Sequence, residues 1–263
     1  MKILALDSST STVSIAFLDD EKVLFEYHQP QQRTNSSIFF EGLQTALQKC
    51  GKPNRLVVGL GPGSYNGLRI SIAAAQGIAS ACNIDLIGLP SILGLAAGMT
   101  ECWVAGDARG GQYWLAALSR HQLLEEPFLL PPADLSDHLK KHPKFPLVAS
   151  QELSHLSASV TPIIQTPNAA ILARLGKDAM LSTSSTSLTR IFHDSRDEKV
   201  AKADVDKEGD GLRRRVYVSY CPRSNPRLTQ YTPGSRKPQQ TCREISWLEP
   251  LYLKPPHITM PQS

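Results

Sequence analysis

The sequence has no long hydrophobic run. Its longest stretch of low polarity, residues 86–99, is interrupted by Pro90 and Ser91, whereas a membrane-spanning helix takes about 20 apolar residues. After Lys2, only four apolar residues precede Asp7, and a secretory signal needs roughly 7 to 15. We therefore expect a cytoplasmic protein without a membrane span.

Cysteine motifs and the nucleotide-binding Walker motif are also missing. The five cysteines are odd in number and form no CxxC pair, so neither a disulfide framework nor a zinc ribbon is expected. The glycine-rich stretch GLGPGSYNGLR lacks the Gly-Lys-Ser/Thr ending whose lysine reaches the β- and γ-phosphates. The chain is therefore not expected to be a P-loop NTPase.

The chain has only a small excess of positive charge, with 28 basic residues against 24 acidic ones. Residues 183–243 hold 13 of the basic and 7 of the acidic residues, and only 16 of these 61 residues are hydrophobic. This composition, with its Ser/Thr runs and prolines, is typical of a mobile insertion. Arg213, Arg214 and Arg215 leave open a contact with nucleic-acid phosphates.

The first third of the chain contains alternating strand and helix patterns. Three strand patterns fill residues 2–27, and Phe39, Leu43 and Cys50 recur at helical spacing after Asn35. A strand at 55–60, an alanine-rich helix at 66–82 and a strand at 85–89 follow. This order predicts a mixed sheet with helices on its faces, as in the ribonuclease-H-like half of actin-like proteins.

A second block repeats the opening in outline. Strand patterns at 102–106 and 113–118 flank the polar turn DARGGQ, which indicates duplicated halves. A helix at 133–141, a strand at 146–149 and a helix from Asn168, its capping residue, to about Met180 are predicted next. We expect two lobes, residues 1–100 and 101–263, the second containing the insertion.

Three polar loops are candidates for binding a nucleotide or phosphate. A carboxylate with hydroxyls can hold hydrated Mg²⁺ or phosphate, and a glycine-rich loop at a helix N-terminus offers free N–H groups to an anion. Asx turns and a tight strand-to-helix connector explain the same residues, and both interpretations stay open. The candidates are Asp7, Ser8, Ser9, Thr10, Gly61, Gly63, Ser64, Asn66, Gly67, Arg69, Asp107 and Arg109.

The alanine-rich helix has two apolar faces. One face carries Leu68, Ile72, Ala75 and Ala79, and the other carries Ile70, Ala74, Gly77 and Ala81. We therefore expect something to pack against each side, either the rest of the fold or a partner helix. Phe39 and Phe40, on neighbouring faces of the preceding helix, extend such a surface.

His138 and His142 have the i, i+4 spacing that presents two imidazoles to one Zn²⁺. The residues between them are Leu139, Lys140 and Lys141, without a glutamate, and Pro143 follows. We therefore expect an exposed histidine pair on the surface.

Four segments of the chain resemble the TsaB (YeaZ) family of tRNA threonylcarbamoyladenosine biosynthesis proteins. They are ILALDSSTSTVSIAFLD, GPGSYNGLRISIAAAQGIA, VAGDARGGQYW and LEPLYLKPPHIT. The family usually has phenylalanine and threonine where Tyr65 and Asn66 stand here. The resemblance implies an α/β fold of the actin-like ATPase (ASKHA) class, with two ribonuclease-H-like lobes of mixed sheets flanked by helices.

The resemblance also implies a scaffold rather than an enzyme. Such a subunit binds and activates the TsaD catalytic subunit, which modifies adenosine 37 of tRNA, and a TsaE-type ATPase completes the complex. The catalytic subunit has an HxxxH metal pair where this chain has Ser91 and Leu95. Since neither residue is a ligand for iron or zinc, we expect a non-catalytic chain. The alternative is an actin-like phosphotransferase or ATPase that acts on a small molecule.

In the family, the helices after the third strand and after GPGS bind TsaD or form a homodimer. Carried over, the interface residues are Ile38, Phe39, Leu43, Leu68, Ile72 and Ala75. No cofactor is firmly implied, although an adenine nucleotide at the partner interface and contact with tRNA through the complex are expectations to test.

Overall fold

The computed structural model describes residues 1–31, 36–108, 111–153 and 161–178, together with the backbone of two later strands. The described residues of the first half of the chain form five strands and two helices. In chain order they are β1 (Lys2–Asp7), β2 (Thr12–Asp19), β3 (Lys22–Pro30), α1 (Ser37–Cys50), β4 (Arg55–Gly59), α2 (Tyr65–Cys82) and β5 (Asp85–Leu89). All the strands and helices predicted for this half are confirmed, with ends shifted by a few residues.

A 3₁₀ turn at Ser91–Gly94 leads into the second half. Its elements are β6 (Glu101–Asp107), β7 (Tyr113–Ser119), β8 (Gln122–Leu130), α3 (Pro132–Leu139), β9 (Leu147–Ala149), β10 (Ile163–Ile164) and α4 (Ala169–Asp178). Two strands follow, β11 (Val216–Ser219) and β12 (Cys242–Ile245). Strands β8 and β10 were not predicted from the sequence.

Five strands of the first sheet and the five strands of the second are arranged in the same order. The first runs β12-β11-β5-β4-β1-β2-β3 and the second runs β10-β9-β6-β7-β8. In each, three antiparallel strands form a meander, and the fourth strand pairs in parallel with the first. The predicted duplication is therefore present in the topology.

Three hydrophobic clusters hold these layers together. Helices α1 and α2 cover the side of the first sheet that is turned away from the second sheet, and α3 covers the side of the second sheet that is turned away from the first. The inner faces of both sheets join α4 in one continuous cluster. Strand β1 is covered on both faces, and for this reason its sequence KILALD is an apolar run rather than an alternating pattern.

The ends of the helices follow from local residues. Helix α1 ends at Gly51, whose φ of 79° turns the chain while its N–H donates to the Leu47 carbonyl. Helix α4 begins after Asn168, whose Oδ1 accepts from the N–H groups of Ala170 and Ile171, which confirms the predicted cap. The predicted start at Asn35 and end at Met180 lie outside the described residues.

The expected insertion at residues 183–243 contains part of the first sheet. Strand β11 pairs in parallel with β5, and β12 pairs antiparallel with β11. Hydrogen bonding along the open edge of β5 therefore assigns these two segments to the sheet of the first lobe, whereas the sequence placed the whole insertion in the second lobe. The remaining residues of that segment lie outside the described part of the chain.

Within the described ranges, no helix combines the length and apolar character needed to cross a membrane.

Candidate functional site

A cleft of about 790 Å³ lies between the two sheets, where the carboxyl ends of β1, β4, β6 and β9 meet. It brings the three predicted polar loops together. Asp7, Ser8 and Gly61 are buried outside its lining, and Arg109 lies outside the described residues. The predicted residues that line it are Ser9, Thr10, Gly63, Ser64, Asn66, Gly67, Arg69 and Asp107.

Asp7 forms an Asx turn behind the cleft and is fully buried. Its Oδ1 accepts from the Ser9 N–H at 2.9 Å and from the Ser9 hydroxyl at 2.7 Å. Its Oδ2 has no hydrogen-bond partner of good geometry among the described residues, although the nearby Ser91 hydroxyl favours the charged form. Burial outweighs these contacts and raises the pKa of Asp7. The structure therefore supports the turn interpretation more than a charged Mg²⁺ ligand.

The glycines of the GPGS loop are needed for contacts within the chain. A Cβ on Gly63 would lie 2.1 Å from the Ser9 carbonyl oxygen, and one on Gly67 would lie 1.9 Å from that of Ser8. The Ser64 N–H donates to the Ser9 carbonyl at 2.6 Å, and the Ser64 hydroxyl caps α2 by accepting from Gly67. The loop is thus a tight connector, packed directly on the Ser8–Ser9 turn.

Arg69 supplies a positive charge at the cleft wall. Its Nη1 donates to the Tyr65 hydroxyl at 3.1 Å, and its guanidinium lies 5.2 Å from the centre of the Tyr65 ring. Asp107 lines the same cleft from the second lobe. The cleft therefore carries one charged group of each sign among its described lining residues, together with many hydroxyls and amides.

Several cleft residues of the second lobe were not assigned from the sequence, namely Gly106, Trp114, Ser150 and Gln151. Ser150 and Gln151 directly follow β9, as the GPGS loop follows β4. The repeat itself could have identified them, because strands in equivalent positions of duplicated sheets end at equivalent places. Trp114 fits only because Gly106 has no side chain: a Cβ there would lie 2.3 Å from the indole ring.

Ser91 and Leu95 occupy the positions that the family resemblance aligns with two metal-binding histidines. The Ser91 hydroxyl accepts from the Gly61 N–H at 2.9 Å, and Leu95 packs in the core at 2% exposure while lining the cleft. Neither side chain supplies a ligand that iron or zinc prefers.

The two spaced histidines do not form an exposed pair. Helix α3 ends at Leu139, so His142 lies beyond it and the i, i+4 geometry is lost. His142 stacks on Phe145 with ring centres 4.6 Å apart, and His138 Nδ1 contacts the Asp134 carbonyl oxygen. Both rings are half-buried against aromatic side chains. The helix does not continue to His142, because the ring of Pro143 would clash with the Leu139 carbonyl.

Helices α1 and α2 turn the predicted interface residues inward. Phe39, Leu43, Leu68, Ile72 and Ala75 are at most 7% exposed and pack on the first sheet, and Ile38 packs beside them. In this structure, these residues face the core of the first lobe. The reason is that the sheet covers the larger of the two apolar faces predicted for α2.

The second apolar face of α2 stays uncovered by the described residues. Ala73, Gly77 and Ala81 are exposed on it, with Ile70 and Ala74 half-buried. Phe40, which is 50% exposed, lies on the adjoining side of α1. We call this surface, formed by Phe40, Ile70, Ala73, Ala74, Gly77 and Ala81, the outer face. Four of these residues, Phe40, Ile70, Ala73 and Ala74, also line the cleft, so the outer face and the cleft are continuous.

Comparison with known proteins identifies similar chains. The model of the family "TsaD: tRNA N6-adenosine threonylcarbamoyltransferase" matches residues 29–208. The chain is 31% identical over 131 residues to the "tRNA threonylcarbamoyladenosine biosynthesis protein TsaB" of Escherichia coli, covering 46% of this chain and 57% of that protein. It is 33% identical over 101 residues to the protein of the same name from Bacillus subtilis, covering 37% and 44%. The chain thus spans about half the length of these curated relatives.

Among solved structures, "YeaZ from Pseudomonas aeruginosa" superimposes with a TM-score of 0.52 at 20% identity, covering 68% of this chain and 91% of that one. A second structure, from the same organism and described as having "similarity to peptidase YEAZ", gives a TM-score of 0.55. These likenesses confirm the predicted fold class of two mixed sheets flanked by helices in the actin-like arrangement.

Proposed function

Since the chain belongs to the family described as "TsaD: tRNA N6-adenosine threonylcarbamoyltransferase" and is similar to TsaB proteins, we propose that it is a TsaB-type, non-catalytic accessory subunit in threonylcarbamoyladenosine biosynthesis. Its task is to bind and activate a TsaD-type catalytic subunit. A TsaE-type ATPase and tRNA enter this proposal only as members of the assembled complex. Ser91 and Leu95, in place of metal ligands, support the non-catalytic role.

The observation that carries the proposal is the outer face of α2. Small side chains let two helices approach closely, because the distance between helix axes depends on the side chains at the contact. The outer face presents alanines and Gly77, and the exposed Phe40 ring lines the cleft together with Ala73 and Ala74. Aromatic residues are enriched in protein interfaces. A partner helix seated here would bury this surface without changing the fold beneath it.

The experiment is a Gly77→Arg variant mixed with the TsaD-type subunit of the same organism. A Cβ on Gly77 meets nothing within 4 Å, and arginine favours a helix interior more than glycine does. The variant should therefore fold normally, while its long charged side chain prevents close approach. We expect light scattering to show a one-to-one complex for the natural chain and separate proteins for the variant.

Ala133→Arg is the matched control, because Ala133 is an exposed helical residue in α3 of the second lobe. It should leave the complex intact. If Gly77→Arg still forms the complex while its urea midpoint matches that of the natural chain, the outer face is not the contact.

In the free chain, we propose that the same face pairs two copies, so Gly77→Arg should also convert a homodimer to a monomer.

A second proposal concerns a nucleotide. The cleft volume of about 790 Å³ falls within the roughly 300 to 1,000 Å³ of small-molecule sites, and Arg69 provides a cation for a phosphate. Titration calorimetry with ADP, on the free chain and on the complex, should show binding that Arg69→Ala weakens. ATP turnover by the isolated chain would instead favour a small-molecule phosphotransferase or ATPase.

A further inference from the structure

Helix α4 belongs to the second half of the chain but is fixed in the first lobe. Its buried side chains, Ala169, Ala170, Leu172 and Ala173, pack in the cluster that includes β1, β2, β4 and β5. At Gly176 the helix lies so close to β4 that an added Cβ would be 2.4 Å from the Val57 side chain. The helix therefore fits the first sheet tightly along its length.

The N-terminal end of α4 is bonded to three elements of the first lobe. The Ala169 N–H donates to the Ser14 hydroxyl at 2.8 Å, on β2. The Asn168 N–H donates to the Gly94 carbonyl at 3.0 Å in the 3₁₀ turn, and the Asn168 amide donates to Glu26 Oε1 at 3.2 Å on β3. Ser14 is fully buried, so its bond to the helix is shielded from water.

The C-terminal end of α4 is also hydrogen-bonded to the first lobe. Arg55 of β4 donates from Nη1 to the carbonyl oxygens of Gly176 and Lys177, at 3.1 and 3.2 Å. These are carbonyls that a helix end leaves without partners. Lys177 Nζ in turn donates to Glu21 Oε1 at 2.8 Å, in the turn between β2 and β3.

A short tether joins this helix to the second sheet. The Gln165 N–H donates to the Ala149 carbonyl at 2.9 Å, at the end of β9. Only residues 166–168 separate Gln165 from α4. The same cluster that holds α4 also contains Val104, Trp114 and Val148 of the second sheet.

We propose that α4 is a strap that locks the two lobes into one body, so that the cleft keeps a single width. Lobes of a hinged protein move because their interface is small or polar, and a large hydrophobic interface removes that freedom. Here the inner faces of both sheets share one core, and both ends of α4 are bonded to the first lobe. A ligand or partner then meets a preformed cleft. The strap acts within the chain and does not depend on the proposed partner.

The test measures the distance between the lobes by electron spin resonance. Labels carried on noncanonical residues replace Gln48 of α1 and Ala133 of α3, which are exposed on the outer helices of the two lobes. We expect one narrow distance distribution, unchanged by Mg-ATP. Two populations, or a shift with Mg-ATP, would overturn the proposal.

The release variant combines Ser14→Ala with Arg55→Ala, which removes one bond at the first end of α4 and both Arg55 bonds at the other. Its distance distribution should broaden at least twofold, whereas Lys140→Ala, which breaks the exposed pair of Lys140 with Asp137, should change nothing. If the double variant does not fold, Arg55→Ala alone should broaden the distribution and speed hydrogen exchange in α4. A release variant that folds with an unchanged distribution would refute the strap.

Discussion

Phe39 and Phe40 are neighbours on α1 with opposite surroundings, and truncating each gives a direct test of the structure. Phe39 is fully buried, whereas Phe40 is 50% exposed, and their rings meet edge to face at 5.3 Å. Replacing a buried phenylalanine by alanine costs about 3 to 5 kcal/mol. Phe39→Ala should therefore lower the free energy of unfolding by about 4 kcal/mol.

Phe40→Ala is the matched control. It removes the edge-to-face contact, which contributes about 0.5 to 1.5 kcal/mol, but leaves no closed cavity. We expect a loss of about 1 kcal/mol. The assay is urea unfolding followed by circular dichroism, and with a slope of roughly 2 kcal/mol/M the two midpoints should differ by about 1.5 M.

The pair also separates two roles for Phe39. If Phe39 were the interface residue expected from the family resemblance, its truncation would leave the urea midpoint unchanged and remove the complex with the TsaD-type subunit. An equal or smaller loss of stability for Phe39→Ala than for Phe40→Ala would refute the placement of α1 on the sheet.

Buried groups give three further predictions. Burial raises the pKa of Asp7, so the folded state favours the protonated carboxyl. The free energy of unfolding therefore falls as pH rises from the unfolded pKa of about 3.9 through the folded pKa. The loss is about 1.4 kcal/mol for every tenfold difference between the acid dissociation constants of the folded and unfolded states. Asp7→Asn should therefore gain stability relative to the natural chain between pH 4 and pH 7 in urea unfolding, and parallel pH profiles would contradict this. Gly67→Ala should cost about 1 to 3 kcal/mol, because its Cβ meets a backbone oxygen, whereas Gly77→Ala on the same helix should gain up to about 1 kcal/mol; equal thermal midpoints would refute the close packing at Gly67. Burial raises the pKa of Cys102 to about 11, so mass spectrometry should find Cys102 alkylated at pH 8 only on unfolding, after the half-buried Cys82; early labelling of Cys102 would place it outside the core.

The sequence was informative where apolar residues recur at the spacing of a strand or a helix. The alternation of Val13, Ile15 and Phe17 predicted β2, and the helical spacing of Phe39, Leu43 and Cys50 predicted α1. Strand β8 was missed because Glu125, Glu126 and Pro127 interrupt its apolar pattern. An edge strand tolerates such residues, since one side of it needs no hydrogen-bond partner.

The candidate site shows a different limit. Periodicity predicted two apolar faces on α2, but only the position of the sheet decides which face is left outside. The polar loops were identified from their composition, yet composition could not tell a ligand loop from a connector. That distinction required two distances from the structure. A Cβ added to Gly63 would meet the Ser9 carbonyl oxygen, and one added to Gly67 would meet that of Ser8.

The shared strand order of the two sheets has a consequence for the number of copies that can assemble. Residues 60–84, between β4 and β5, contain the 18-residue helix α2, whereas only residues 150–162 separate β9 from β10. Thirteen residues leave no room for a second helix of that length in the equivalent place. Among the described residues, the duplication therefore supplies a helix of this kind once. In a homodimer in which the outer face of one copy packs on the outer face of the other, both copies have used this surface, so the pair is closed and does not extend into a filament.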